Sequence, residues 1–172
     1  MGNIRRGLDS AASQYGAAIE RLARGYEAHA EIRRDLIQEI HTSLWRSYAY
    51  FEGQCSDRSW VYRIAHNIAV SHLIARRRLR RAELVGFDEI AELAAPDDPE
   101  RDTGDKWLVE RMLAIIHRFA PTDRQVMLVY LEDLTAAEIG DVTGLSASAV
   151  SVRIHRLKQL LASDRARKEN PS

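Results

Sequence analysis

The sequence predicts an all-α fold: two small helical domains joined by an acidic flexible linker, the second with a helix-turn-helix. Three observations predict it. Apolar residues recur every three to four positions through most of the 172-residue chain, the period of a helix packed on one side. An acidic stretch holding Pro96 and Pro99 interrupts that pattern. Beyond it, two short periodic segments meet at Gly144, the spacing of a helix-turn-helix.

Taken in order, Asp9 to about Tyr26 reads as a first helix that Asp9 or Ser10 can cap. From Glu31 to Tyr48, Ile32, Leu36, Ile40 and Leu44 form the packed stripe. Asp35, Gln38, Glu39, Thr42 and Arg46 then share the opposite, exposed face. Phe51 to Ser56, with Gly53, reads as a loop delivering the chain to the next helix. That helix, Trp60 to Arg81, carries an apolar side of Val61, Ile64, Ala65, Ile68 and His72. Beside it runs a strip of Trp60, Arg63, Asn67, Ser71, Ile74 and Arg78, and five of the last six residues, starting with Arg76, Arg77 and Arg78, are arginines. Arginine neutralises phosphate while Asn and Ser hydrogen-bond base edges, so this helix suits nucleic acid.

Ala82 to Asp105 reads as the linker. Lys106 to Phe119 gives a stripe of Leu108, Met112, Ile115, Ile116 and Phe119, ended by Pro121. Thr122 with Gln125, and Thr135 with Glu138, have capping-box spacing and start two further helices around the short joint Glu132-Asp133. Ser146 caps a last helix to about Ser163. With Val150, Ile154, Leu157 and Leu161 packed, its outward side presents Ser148, Ser151, Val152, His155, Arg156 and Gln159, with Lys158 at the margin.

The net charge is zero, with 45% hydrophobic and 29% charged residues, so total charge says nothing of a partner until position is considered. Residues 1 to 83 hold 14 Lys+Arg against 9 Asp+Glu, residues 84 to 105 hold 1 against 8, and residues 106 to 172 hold 10 against 8. Two mildly basic blocks flank an acidic joint. Cys55 is the single cysteine, which fits a reducing cytoplasm. The N-terminus lacks a signal peptide's apolar core and no run of about 18 apolar residues occurs, so no membrane insertion is expected. The six histidines do not converge, and no phosphate loop, nucleophile motif or paired carboxylates appear. No enzyme, cofactor, metal site or small-molecule substrate is expected.

Asp35-Leu36-Ile37-Gln38-Glu39, then Phe51-Glu52-Gly53, then Trp60-Val61-Tyr62-Arg63-Ile64-Ala65-His66-Asn67, a basic helix end, an acidic linker and a C-terminal helix-turn-helix together resemble the bacterial sigma-70 family. The resemblance is closest to its two-domain extracytoplasmic-function branch and covers roughly residues 10 to 163. It implies a factor that directs core RNA polymerase to promoter DNA. It assigns residues 9–81 to core polymerase and minus-10 binding, 82–105 to the linker through the RNA exit path, and 106–163 to minus-35 binding. Asp35, Gln38 and Glu39 would dock on the polymerase clamp. Phe51, Gly53, Trp60, Arg63, Asn67, Ser71, Arg76, Arg77 and Arg78 would meet the minus-10 element, whose flipped base the Phe51 to Ser56 loop would receive. Ser148, Ser151, Val152, His155, Arg156 and Lys158 would enter the major groove of the minus-35 element.

Three positions depart from the family pattern: His41 and Asp57 stand where apolar residues are usual, which is expected to loosen packing, and Ser151 where a cation is frequent. Without a long N-terminal inhibitory region or extra C-terminal domain, regulation is expected from a separate anti-sigma factor. The alternatives are a stand-alone helix-turn-helix regulator and a helical interaction protein without a DNA role.

Overall fold

Leu36, Ile40 and Leu44 are buried, so the four-residue stripe of the second helix is the first core contact the sequence foresees. The structure, a computed structural model, describes residues 2–84 and 104–169 in their backbone, and the side chains of residues 14–79 and 106–163. Among the described residues there are seven α-helices and no strands: α1 Gly2–Tyr26, α2 Ala30–Ser47, α3 Asp57–Leu84, α4 Gly104–Ile116, α5 Pro121–Tyr130, α6 Ala136–Thr143 and α7 Ala147–Glu169. A single 3-10 turn, Tyr48–Tyr50, follows α2.

Helices α1, α2 and α3 pack on one another, and α5, α6 and α7 do the same. The two groups are also in contact, α3 with α5 and α6, and α1 with α4 and α5. Buried residues of both form one cluster, from Ile19, Leu22 and Leu36 to Val126, Ile139 and Leu157. Most of the expected linker, residues 85–103, lies outside the described residues.

Several boundaries differ from expectation. Helix α1 starts at Gly2, so Asp9 and Ser10 lie inside it; residues 3–8 contain no proline, and a helix once nucleated propagates through weak formers. Helix α3 starts at Asp57: Ser56 Oγ accepts from the Ser59 N–H at 3.1 Å, a cap four residues before Trp60. Asp57 is exposed in that first turn, where a carboxylate favours the helix dipole. It therefore caps charge rather than loosening packing, and His41 is half-buried on α2.

The Thr122–Gln125 box does not form. Pro121 starts α5 with Ala120 as an N-cap that offers no side-chain bond, because proline's fixed φ and missing N–H suit the first helical position. Leu108, expected in the packed stripe, is 48% exposed, as is much of Val109, whereas Met112 and Ile116 of the same stripe join the core. Helix α7 runs on past Ser163 to Glu169.

Helix α3 departs from expectation in its buried arc. Val61 and Ala65 are buried as foreseen, but so are Tyr62, His66 and Ala69, while Ile64 and Ile68 are half-buried. The arc is wider because α1 and α2 cover one side of α3 and α5 and α6 cover another.

Candidate nucleic-acid interface

At the entry to α3 an aromatic cluster fixes the loop. Phe51 stacks on Trp60 with ring centroids 5.1 Å apart and meets Tyr48 edge-on at 6.0 Å. The Trp60 indole N–H donates to Ser47 Oγ at 3.3 Å. Gln54 ties the loop to itself, its Oε1 accepting from the Glu52 N–H at 3.1 Å and its Nε2 donating to the Tyr50 carbonyl at 3.4 Å. Gly53, at φ 79°, is exposed at the tip. Tyr50, which immediately precedes this loop, is 77% exposed, and Trp45 of α2 is 62% exposed. Sequence reasoning missed both as candidates for stacking; an aromatic directly before a Gly-bearing loop, with another on the preceding helix, was the available signal.

The strip along α3 is only partly open. Asn67, Ser71, Arg77 and Arg78 are exposed and on one helix, as expected. Arg63 is not free: its Nε and Nη2 donate to the Asp141 carbonyl of α6 at 2.9 and 2.6 Å. Arg76 also points inward, 3.1 Å from Glu27. Burial pushes the Glu27 carboxyl up, but the His29 N–H, His72 and Arg76 outweigh it and hold the group below its usual value. Arg76 thus joins a buried ion pair, whereas Arg77 and Arg78 remain available to phosphate.

His66 sits at the centre of this helix, fully buried, with Nδ1 2.9 Å from the Tyr26 hydroxyl and Nε2 without a partner among the described residues. Burial alone pushes its pKa down to about 3, so the ring is neutral. Burial likewise raises Tyr62, whose hydroxyl donates to Glu132 Oε2 at 3.0 Å.

On α2, Asp35, Gln38, Glu39, Thr42 and Arg46 are all exposed, beside exposed Trp45. This face has no packing duty in the fold.

The second group builds a helix-turn-helix as its sequence foresees. Thr135 Oγ1 accepts from the Glu138 N–H and Glu138 Oε2 from the Thr135 N–H, closing the capping box that starts α6. Gly144, at φ 77°, ends α6 in the left-handed conformation, which glycine adopts without a Cβ penalty. Ser146 Oγ then accepts from the Ala149 N–H at 3.2 Å to start α7.

Val150 and Leu157 anchor α7, and Ser148, Ser151, Val152, His155, Arg156, Lys158 and Gln159 are exposed. The cations there are tethered. Arg156 pairs with Asp123 of α5 at 2.6 Å, alongside Arg153 at 2.5 Å, and Lys158 lies over the Tyr130 ring at 5.6 Å. Ser151 donates to the Ala147 carbonyl at 2.9 Å, leaving its oxygen free to accept. Ser148, Val152 and His155 complete a small polar face with one apolar centre.

Residues 11–81 match the family model described as Sigma-70 region 2, and residues 110–161 match that described as Sigma-70, region 4. The chain belongs to the sigma-70 family. Among its relatives, it is 28% identical over 150 residues to "ECF RNA polymerase sigma factor SigG" of Mycobacterium tuberculosis (strain ATCC 25618 / H37Rv), covering 74% of this chain and 40% of that protein. It is 26% identical over 165 residues to "RNA polymerase sigma factor CnrH" of Cupriavidus metallidurans, covering 92% of this chain and 86% of that one. With the "ECF RNA polymerase sigma-E factor" of Haemophilus influenzae the identity is 26%, over 87% and 82% of the two chains.

These relatives place it in the extracytoplasmic-function branch of the sigma-70 family. A solved structure of CnrH in complex with the cytosolic domain of CnrY superposes with a TM-score of 0.65 at 19% identity, covering 92% of this chain and 87% of that one. That likeness is one of fold. In this family's terms α1 to α3 carry region 2 and α4 to α7 region 4. Among the described residues no helix is long and apolar enough to cross a membrane.

Proposed function

We propose that this chain is a promoter-specificity factor, not an enzyme, that binds core RNA polymerase and directs it to promoters with minus-10 and minus-35 elements. One observation carries the reading: a region 2 and a region 4 lie in that order on one chain, each presenting an exposed polar helix face, on α3 and on α7.

Residues 9–81 form the minus-10 and polymerase-binding unit, 82–105 the joint and 106–163 the minus-35 unit. Asn67 and Ser71 read bases, Arg77 and Arg78 hold phosphates, and Arg63 joins them when released from Asp141. The Phe51–Trp60 cluster beside Gly53 offers an aromatic floor for a flipped base, whose unstacking cost stacking can offset. Asp35, Gln38 and Glu39 supply the polymerase contact. On α7, Ser148, Ser151, Val152 and His155 face the major groove, with Arg156 and Lys158 at its edge. Joining the two units on one chain raises the effective concentration of each for its element.

The cytosolic domain of CnrY in the solved CnrH complex supports an inhibitory protein partner, an anti-sigma factor, here too. The site of action is the cytoplasm.

Run-off transcription tests the reading. Core polymerase, promoter DNA and this chain together should give transcripts that no pair of them gives. Tight sequence-specific duplex binding by the chain alone, without transcripts, would establish a stand-alone regulator instead.

A further inference from the structure

Val152 stands at the centre of the outward face of α7, 68% exposed and nearly opposite buried Val150 and Leu157. A single exposed valine is ordinary on a protein surface. Here its neighbours give it a meaning, because most of the polar groups around it are already engaged. Ser151 donates its hydroxyl proton to the Ala147 carbonyl at 2.9 Å, so towards a ligand that oxygen can only accept. Arg153 and Arg156 both hold Asp123, whose side chain is 14% exposed, at 2.5 and 2.6 Å. Lys158 reaches the Tyr130 hydroxyl at 3.4 Å and lies over its ring. Gln159 Nε2 and His155 Nε2 lie 3.0 Å apart and hold each other.

The face therefore offers a base edge a hydroxyl at Ser148, an acceptor at Ser151 and two methyl groups at Val152, while the described cations of α7 are held at its flanks. In a helix-turn-helix the N-terminal part of the second helix meets base edges in the major groove, and Ser151 and Val152 stand in the second turn of α7. Guanine is read best by a free cation forked onto its O6 and N7. Freeing Arg156 for that would strip Asp123 of one of its two partners. Thymine alone carries an apolar group in the major groove, its 5-methyl, and the adenine paired with it presents an amino donor. An A·T pair is thus the one pair that supplies both a methyl for a valine and an N–H for an acceptor-only serine.

We infer that α7 selects an A·T pair in the minus-35 element, with the thymine methyl against Val152 and an amino group on Ser151, and that Val152 sets this preference. The inference rests on the promoter reading above and names the base that the α7 face takes. Because the Val152 side chain is exposed, replacing it separates recognition from folding.

Core RNA polymerase loaded with the full chain selects duplexes from a pool randomised across both elements, with core polymerase alone as the control. The enriched duplexes should share a thymine in the upstream element. Each thymine there is then replaced singly by deoxyuridine, which lacks only the methyl, and binding by the loaded polymerase is titrated. One replacement should weaken binding about fourfold, the worth of one buried methyl-sized group. With Val152→Ser, whose circular dichroism and melting temperature should match the parent's, the same replacement should change nothing. Three results would each overturn the inference and leave the promoter reading standing: upstream thymines that are all insensitive, a deoxyuridine effect that survives Val152→Ser, or an element read through guanine with a preference that Arg156→Ala abolishes. Failure to enrich any duplex over core polymerase alone would instead sink the promoter reading, and this inference with it.

Discussion

His66 gives a pH dependence whose sign and size follow from its burial. Its ordinary pKa is 6.5, and enclosure in the core pushes it down to about 3. The folded chain therefore keeps this ring neutral while the unfolded chain protonates it. Below the unfolded value the unfolded state holds one more proton, so stability rises with pH and is lost as pH falls from 6.5 towards 3. Between pH 7 and pH 5 the loss is about 2 kcal/mol from this residue, since the unfolded ring goes from mostly neutral to almost wholly charged. His66→Gln keeps a polar partner for the Tyr26 hydroxyl but does not titrate. Urea unfolding at pH 7, 6 and 5 should show the parent losing about 2 kcal/mol more than the variant, the carboxylate contributions being common to both. Equal pH slopes would show that His66 is not buried neutral, and the packing of α1 on α3 drawn above would be wrong.

Asn67→Ala should cost about 1–3 kcal/mol of discrimination at one minus-10 base, read as altered base preference in open-complex formation; an unchanged preference removes Asn67 from the reading strip. Replacing Gln38 and Glu39 by Ala should weaken polymerase binding while leaving the melting temperature within a degree or so, because both side chains are exposed. Unchanged affinity makes that face plain surface. Thr135→Ala removes the hydroxyl that accepts from the Glu138 N–H and donates to the Glu138 carboxylate and should lower the stability of region 4 by about 1 kcal/mol in urea unfolding.

Where local chemistry decides, the sequence was legible. The stripe of Leu36, Ile40 and Leu44, the Thr135–Glu138 box, the Gly144 turn and the Ser146 cap each depend on neighbours within four residues, and all are present. Asp35, Gln38 and Glu39 are exposed because they fall off that stripe, part of a turn around the helix from it. What depends on distant chain was not legible. Arg76 belongs to Glu27, 49 positions away, and not to the basic cluster around it. Arg63 is held by a backbone carbonyl on α6, which no side-chain pattern announces. Tyr62 and His66 are buried because a second layer covers α3. Thr122 lost to Pro121 in a local contest between two good helix starts.

In a chain of zero net charge, the contacts between the two helical groups draw on the chemistry that a phosphate backbone would also offer to arginine. Region 2 is the more basic block, and acid from region 4 meets it: Glu132 on Arg21, Glu110 on Arg24 and the Asp141 carbonyl on Arg63. A guanidinium donates to phosphate oxygens with the same fork it offers to a carboxylate or a carbonyl. Moving Arg63 from a carbonyl to a phosphate oxygen would replace one set of hydrogen bonds by another, with the phosphate's charge favouring the second. The apolar contacts within α1 to α3 and within α5 to α7 need not change. The arginines of α1 and α3 thus already hold acceptors inside the chain, Glu132, Glu110 and the Asp141 carbonyl, of the kind that a phosphate backbone would offer.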